Sequence, residues 1–362
     1  MKTYRNLYEQ YISDENIRLA IKNVCKHKLK RKRFRELHDN PDKYIPWIRK
    51  QAIGFHNDPH IPVVIYDGIQ RKKRTIIVPS FREQIIHHMI VNVLKPIFMT
   101  PMYELSYGSI PNRGAHKAMK NIKKHISKGK DIKYCLKMDI RRYFDSVPHD
   151  VVKAKLKSQI KDHRFLEILF EVIDVTEKGL PLGFYTSQWL ANWYLTGLDH
   201  YIKETLGAKI YHRYMDDMTI FGSAKKTLHK MRKAISEYLK SLGLVLKSNY
   251  QVFRFHFIKN GKDKGRFLDF MGFRFYRNRV TLRRSIYTKA CRKARKLFKK
   301  TKKGNKVTIF EIRQMLSYLG WISATDTYNA YVENIKPYIN IMSLKRRISK
   351  HDKRRVMYEL AA

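Results

Sequence analysis

Apolar and polar positions along the chain fall into blocks that switch between helical and strand periods. Residues 13–25 (SDENIRLAIKNVC) open with polar capping residues and continue at helical spacing, which predicts a helix. Residues 61–79 (IPVVIYDGIQRKKRTIIVP) read as two β-strands around a turn at Asp67-Gly68, the second carrying Arg71, Lys72, Lys73 and Arg74. Residues 81–99 (FREQIIHHMIVNVLKPIFM) show an apolar helical stripe, and 134–147 (YCLKMDIRRYFDSV) a buried strand breaking into a turn. Residues 186–205 suit a helix, and 209–221 (KIYHRYMDDMTIF) a β-hairpin with Asp216 and Asp217 at its tip. Residues 228–242 are again helical, and 266–282 form a second hairpin-like stretch. From 285 onward the pattern is helical and very basic, ending in SLKRRISKHDKRR. There is no internal repeat and no Pro/Ser-rich linker, so the modules are expected to pack against one another.

Composition narrows what these elements are for. The 362 residues are 43% hydrophobic, enough for a real core in two or three packed modules. Lys and Arg number 76 against 31 Asp and Glu, a formal net charge of +45. A surface this positive attracts a polyanion, and the usual polyanion is nucleic acid. The run Lys26, His27, Lys28, Lys30, Arg31, Lys32, Arg33, Arg35 is a solvated or disordered stretch or a nucleic-acid contact, and the overall charge favours the contact. A membrane surface is the rival partner, but no run of about 18 apolar residues is present to span a bilayer. The N-terminus (MKTYRNLYEQYISDENIRLAI) has no signal-peptide core, so a cytoplasmic, bacterial protein is expected. Cys25, Cys135 and Cys291 form no CxxC pair and read as buried small hydrophobes rather than disulfide or zinc ligands.

Acidic residues are scarce, so their placement at strand ends calls for a reason. Asp139 ends one apolar strand, and Asp216-Asp217 precede another. A bare carboxylate there is costly unless a cation or hydrogen bonds compensate it. Magnesium does so, preferring one or two protein carboxylates plus substrate phosphates. Two such ions, about 3.5–4 Å apart, would stabilise the attacking and leaving oxygens of a phosphoryl transfer. The Ile140 carbonyl is a further candidate ligand, and manganese a candidate substitute metal. Taken alone, an Asp-Asp pair is usually a turn, and it gains weight only with partner motifs in the right order.

Those partners are present. Tyr214-Met215-Asp216-Asp217 resembles the catalytic box of reverse transcriptases, and Asp139-Ile140-Arg141-Arg142-Tyr143-Phe144-Asp145 their first catalytic motif. GLPLGFYTSQWLANWYL (Gly179 to Leu195) is similar to their template- and nucleotide-positioning motif, and LGLVL (Leu242 to Leu246) to the motif after the box. LDFMGFRF (Leu268 to Phe275), which contains Gly272, resembles the primer-grip hairpin, and SYLGWISATDTYNAY (Ser317 to Tyr331) a bacterial thumb segment. Arg74 to Pro79 with Phe81-Arg82, and SYGSIPNRGAHKA (Ser106 to Ala118), look like fingers motifs. The likeness runs collinearly over roughly residues 60–335.

The resemblance implies an α+β right-hand polymerase fold: fingers, a palm of antiparallel sheet backed by helices, and a helical thumb. It divides the chain into an N-terminal helical and basic extension (1–60), fingers and palm (61–285), thumb (286–346) and basic C-terminal tail (347–362). It makes Asp139, Asp216 and Asp217 the catalytic metal site, with Asp216 a direct ligand and Asp217 partly orienting. Phe144 takes the place of a bulky ring beneath the nucleotide sugar that excludes a 2′-hydroxyl; the plainer reading is a core aromatic. Arg74 would pair with the triphosphate through its planar fork, with Lys72 a weaker candidate. Gly183 and Gln188 would border the nascent base pair, although Gly183 also suits a tight turn. Tyr214, Met215 and Gly272 would meet the primer terminus, and Arg113 template or nucleotide phosphate, unless it lies in a solvated basic loop.

Two departures matter. Pro181-Leu182-Gly183 stands where many members have Pro-Gln-Gly, which bears on fidelity and nucleotide selectivity. Tyr250 stands near where a lysine often acts as the acid for pyrophosphate, with Lys247 the nearest substitute. The string TSQWLANWYL looks most like the diversity-generating retroelement group, beside antiphage-defence enzymes. Met215 stands where retron enzymes usually carry alanine, and group II intron enzymes are usually longer. Expected partners are an RNA template or non-coding RNA, deoxynucleotides, a DNA product and a small accessory protein, with no membrane. The competing classes are an RNA-dependent RNA polymerase, which Phe144 opposes, a non-catalytic RNA-binding protein of polymerase fold, and a structural basic protein.

Overall fold

The computed structural model describes residues 2–67, 72–129 and 132–360, of which 67, 72 and 354–360 by backbone alone. The chain divides into two units: residues 1–114 with 134–253, and residues 115–133 with 254–362.

The first unit opens with α1 (Leu7–Ile12), α2 (Asp14–Cys25), α3 (Lys32–Asp39) and α4 (Pro41–Ala52). Ser13 caps α2 by accepting from the Asn16 amide, as the polar opening of that segment predicts. The buried Asn16 side chain then donates to the carbonyls of Tyr11 (2.8 Å) and Met89 (3.1 Å), tying these helices to the centre of the unit. The basic run is folded rather than loose. Its charged heads are mostly exposed, but Phe34 and Leu37 are buried, and the Arg33 guanidinium lies 3.8 Å from the Phe81 ring centre.

A hairpin of β1 (Val63–Asp67) and β2 (Lys72–Ile76) follows; the turn expected at Asp67-Gly68 falls outside the described residues. Next comes α5 (Phe81–Met99), the helix expected over the same residues. Ser80 and Glu83 form a reciprocal capping box at its start. The fully buried Glu83 carboxylate also takes the Asp58 amide (2.9 Å) and the His60 imidazole (2.9 Å). Most of α5 is buried, so it acts as a central post.

In chain order, α6 (Ala115–Lys128) belongs to the second unit. The first resumes with β3 (Tyr134–Asp139), α7 (Tyr143–Ser146), α8 (His149–Gln159), α9 (His163–Ile173), α10 (Tyr185–Tyr194) and α11 (Thr196–His200). The single helix expected over 186–205 is broken at Leu195 (ψ 2°), and its last turn, Tyr201–Thr205, is a π-helix. The break lets Trp193 stack on Phe98 of α5, with ring centres 4.6 Å apart. Then come β4 (Ile210–Tyr214), β5 (Asp217–Gly222), α12 (Lys225–Ser241) and β6 (Gln251–Arg254). The sheet order is β4-β5-β3-β6, with β5 antiparallel to both neighbours. Of its central strands, β5 is buried along most of its length and β3 at half of its positions.

The second unit contains α6, a small hairpin of β7 (Phe257–Lys259) and β8 (Lys262–Lys264), and β9 (Leu268–Phe270), β10 (Phe273–Phe275) and β11 (Val280–Leu282). The hairpin expected over 266–282 is therefore a three-stranded antiparallel meander. It buries Leu268, Phe270, Phe273 and Phe275, and Trp321 stacks on Phe273 at 5.0 Å. Four helices follow: α13 (Arg284–Lys302), α14 (Ile309–Ser323), α15 (Tyr328–Asn334) and α16 (Ile341–Leu360). A capping box of Thr308 and Glu311 starts α14, and Glu311 also accepts from Lys300 at 2.9 Å.

These units divide the chain differently from the four segments expected. Residues 115–133 group with the C-terminal unit, from which Arg277 donates to the carbonyls of Ile126 and Gly129. Helix α16 also runs through the boundary drawn at 346/347 without a break.

Candidate active site

The carboxylates meet at one end of the four-stranded sheet. Antiparallel register sets Asp139, the last residue of β3, opposite Asp217, the first of β5. Tyr214, the last residue of β4, also pairs with Asp217, so Met215 and Asp216 form the whole connection. So short a turn needs a residue at positive φ, and Met215 adopts +55°. The Ile140 amide donates to the Asp216 carbonyl at 3.3 Å, fastening the turn to the end of β3. Residues 245–247 run along the other side: Arg141 donates to the Val245 carbonyl (2.8 Å) and the Lys247 amide to that of Asp139 (2.9 Å).

The electrostatics suit a cation. Burial, then the negative charges of Asp139 and Asp217, push the Asp216 carboxyl up to about 7. Asp139 Oδ2 accepts from the Lys247 ammonium, while its Oδ1 is buried without a hydrogen-bond partner. Among the described residues no three acidic, histidine or cysteine side chains already form a metal cage. The aspartates are instead an open rim with one ammonium on it, and the orphaned Oδ1 fits a further cation.

The remaining candidates are distributed around this rim or apart from it. Phe144 is half-buried on α7, its ring edge-on to Tyr143 at 5.7 Å. Its carbonyl accepts from the Leu180 amide at 2.7 Å, so the Gly179–Leu195 motif starts against the Asp139 segment. Gly183 has φ +112°, and a Cβ there would lie 2.1 Å from the Ile77 carbonyl oxygen. Its neighbour Leu182 accepts from the Ile77 amide at 2.7 Å, which joins this motif to the end of the strand bearing Arg74. Arg74 is half-buried opposite Ile65, and Gln188 is exposed on α10. One Arg113 guanidinium nitrogen donates to the Tyr103 carbonyl at 2.7 Å. The Lys72 side chain lies outside what is described. Gly272 belongs to the second unit, at φ +86° between β9 and β10, where a Cβ would sit 2.9 Å from Ile286.

Two further features leave no local signal in the sequence. The Lys247 contact with Asp139 joins residues 108 apart and has no local signal. Arg213 and Asp199 form a fully buried ion pair that also reaches the Met215 carbonyl.

Residues 61–274 match the family described as reverse transcriptase (RNA-dependent DNA polymerase), and the chain belongs to that family. The α+β right-hand polymerase class expected from the sequence is thereby borne out. An uncharacterized 91 kDa protein in the cob intron of Schizosaccharomyces pombe is 29% identical over 217 residues, covering 55% of this chain and 26% of that protein. The group II intron-encoded protein LtrA of Lactococcus lactis is 26% identical over 182 residues, 48% of this chain and 29% of that one. The retron Ec73 reverse transcriptase of Escherichia coli is 25% identical over 208 residues, 51% of this chain and 62% of that one. The chain spans less than half the length of the first curated relatives it matches. Among solved structures, an apo telomerase of Candida tropicalis truncated from its C-terminal domain aligns with a TM-score of 0.45 at 14% identity, over 66% of this chain and 59% of that one. No helix of the described residues is long and apolar enough to cross a membrane.

Proposed function

We propose that this chain is an RNA-directed DNA polymerase that extends a primer on an RNA template. The observation that carries the reading is the pairing of Asp139 with Asp217 across β3 and β5, with Asp216 on the two-residue turn and a buried, unpartnered oxygen on Asp139. Asp139 and Asp216, with the Ile140 carbonyl, would hold divalent metal, magnesium with manganese as substitute, and Asp217 would orient them. When bound, such ions activate a primer hydroxyl and neutralise the triphosphate. The residues themselves hold and orient. Arg74 and Lys72 take phosphate, Phe144 fills the space a 2′-hydroxyl would need, and Gly183 and Gln188 border the new base pair. Tyr214, Met215 and Gly272 support the primer end, and Arg113 contacts phosphate. The charge of +45 supplies a template-holding surface along expected fingers, palm and thumb. The TSQWLANWYL motif supports a diversity-generating or antiphage-defence role in a bacterial cytoplasm, with a dedicated RNA and a small accessory protein. Leu182 in place of glutamine supports lowered fidelity.

The test is primer extension on an RNA template, wild type against Asp216→Asn, with deoxynucleotides and ribonucleotides supplied separately. Wild type is expected to extend with deoxynucleotides alone, and Asp216→Asn to be slower by about 10³-fold or more. Preferential ribonucleotide use would turn the reading to an RNA polymerase. Equal activity in the variant would remove the metal site.

A further inference from the structure

Arg213 is buried in full, two residues before the left-handed Met215. A guanidinium out of water must have its donors satisfied, and here they converge on the catalytic turn. Its Nε donates to Asp199 Oδ1 at 2.7 Å and its Nη2 to Oδ2 at 2.5 Å, a two-point fork. The Tyr211 hydroxyl donates to the same Oδ1 at 2.7 Å, so the carboxylate is saturated from β4. The other donors leave the ion pair. Nη1 reaches the Met215 carbonyl at 3.1 Å and Asn192 Oδ1 at 3.4 Å, and Nη2 the Asn192 carbonyl at 3.3 Å. The Asn192 amide donates to the Gly108 carbonyl at 2.7 Å. A Cβ on Gly108 would lie 2.3 Å from Met215 Cγ and 2.9 Å from Met215 N, so that backbone closes on the turn from its far side. The Arg213 backbone is fixed as well, donating to Leu105 (3.2 Å) and accepting from Tyr107 (3.0 Å).

A buried ion pair of this kind adds little net stability over apolar side chains of equal volume, and in some proteins its role is instead to select one conformation. The conformation selected here is the peptide between Met215 and Asp216, whose carbonyl Arg213 holds. Resting on the polymerase reading above, we propose that the Arg213–Asp199 pair is a positioning device that fixes this peptide, and through it the Asp216 carboxylate, in the geometry that receives divalent metal. Lysine cannot replace arginine in the role, because a single ammonium cannot fork onto Asp199 and reach the Met215 carbonyl as well.

The experiment uses the full chain. Mn²⁺ binding is measured by calorimetry without nucleic acid, and primer extension is titrated with Mg²⁺, for wild type, Arg213→Lys, Asp199→Asn and Asp216→Asn. Met215→Gly is measured alone and combined with Arg213→Lys. Circular dichroism and thermal unfolding report the folded fraction of each. Arg213→Lys is expected to stay folded, to bind Mn²⁺ several-fold more weakly and to raise the Mg²⁺ midpoint by a similar factor, with the deoxynucleotide KM unchanged. Glycine at 215 takes positive φ freely, so the Arg213→Lys penalty is expected to shrink several-fold in that background. A purely structural role predicts less active protein with an unchanged metal midpoint and an equal penalty in both backgrounds, and that result overturns the inference. If wild type extends no primer, the polymerase reading fails, while unchanged Mn²⁺ affinity in Arg213→Lys independently refutes the positioning role.

Discussion

If Asp139 holds metal as proposed, Lys247 would compete with that metal, and removing Lys247 would have a calculable effect. The ammonium contacts Asp139 Oδ2, and the two side chains are 33% and 28% exposed. Solvent-exposed pairs contribute about 0.2–1 kcal/mol, and a pair this enclosed belongs at the upper end, about 1 kcal/mol. A divalent ion approaching the rim must displace or tolerate that ammonium. Lys247→Met removes the competitor while keeping most of the apolar stem. At about 1.4 kcal/mol per factor of ten, metal should bind about fivefold more tightly. The assay is the Mg²⁺ dependence of the initial extension rate at saturating deoxynucleotide, at the same pH for both proteins. The expected curve has its midpoint shifted about fivefold down, with a stability loss of no more than about 1 kcal/mol. The maximal rate is a separate readout and falls if Lys247 also supplies a proton to pyrophosphate. A midpoint that is unchanged or higher would refute the competition argument, since removing a positive charge beside a cation site would then have no electrostatic consequence.

Phe144→Ala should raise ribonucleotide incorporation relative to deoxynucleotide by about tenfold or more, read by competitive extension; unchanged discrimination would make Phe144 an ordinary core ring. Gly183→Ala places a Cβ 2.1 Å from the Ile77 carbonyl at φ +112°, so it should lower stability by about 1–3 kcal/mol and slow extension, and a normal melting curve would contradict the close approach. Glu311 is held down to about 2 by hydrogen bonds from Lys300 and the Thr308 amide. Because the folded protein keeps this carboxylate ionised below its ordinary range, its contribution is full above about pH 4.5 and is lost as the pH falls toward 2. Glu311→Gln should therefore unfold at lower temperature than wild type at pH 6, and the gap should close toward pH 2.5.

The parts of the site legible in the sequence were those whose signal is local. The carboxylates stood out because acids are few and two apolar strands meet them. Helix α5 was legible end to end because its apolar stripe runs from Phe81 to Met99. The meander of β9, β10 and β11 was read as a hairpin because strands of three residues are too short for an alternating pattern to count them. The break at Leu195 leaves no proline or glycine at that position, and is set instead by packing. The Arg213–Asp199 pair could not be inferred, since local pattern does not distinguish a charge that finds a partner 14 residues away from one that faces solvent. Nor does an amphipathic helix say which unit it will join: α6 groups with residues 254–362 and not with its sequence neighbours.

That last assignment bears on how the chain is made. Helix α6 buries Ala118, Met119, Ile122 and Ile126, and Arg277, which bonds its end, lies 151 residues beyond Ile126. At a synthesis rate of about 5–20 residues per second, the helix waits roughly 7–30 s for that anchor to leave the ribosome. Its apolar stripe stays uncovered while the rest of the first unit is synthesised, a window in which chaperones or a neighbouring nascent chain can bind. A chain cut after residue 254 would keep the stripe and lose the residues that follow it in the second unit, so such a fragment is expected to aggregate even with the four strands of its sheet present.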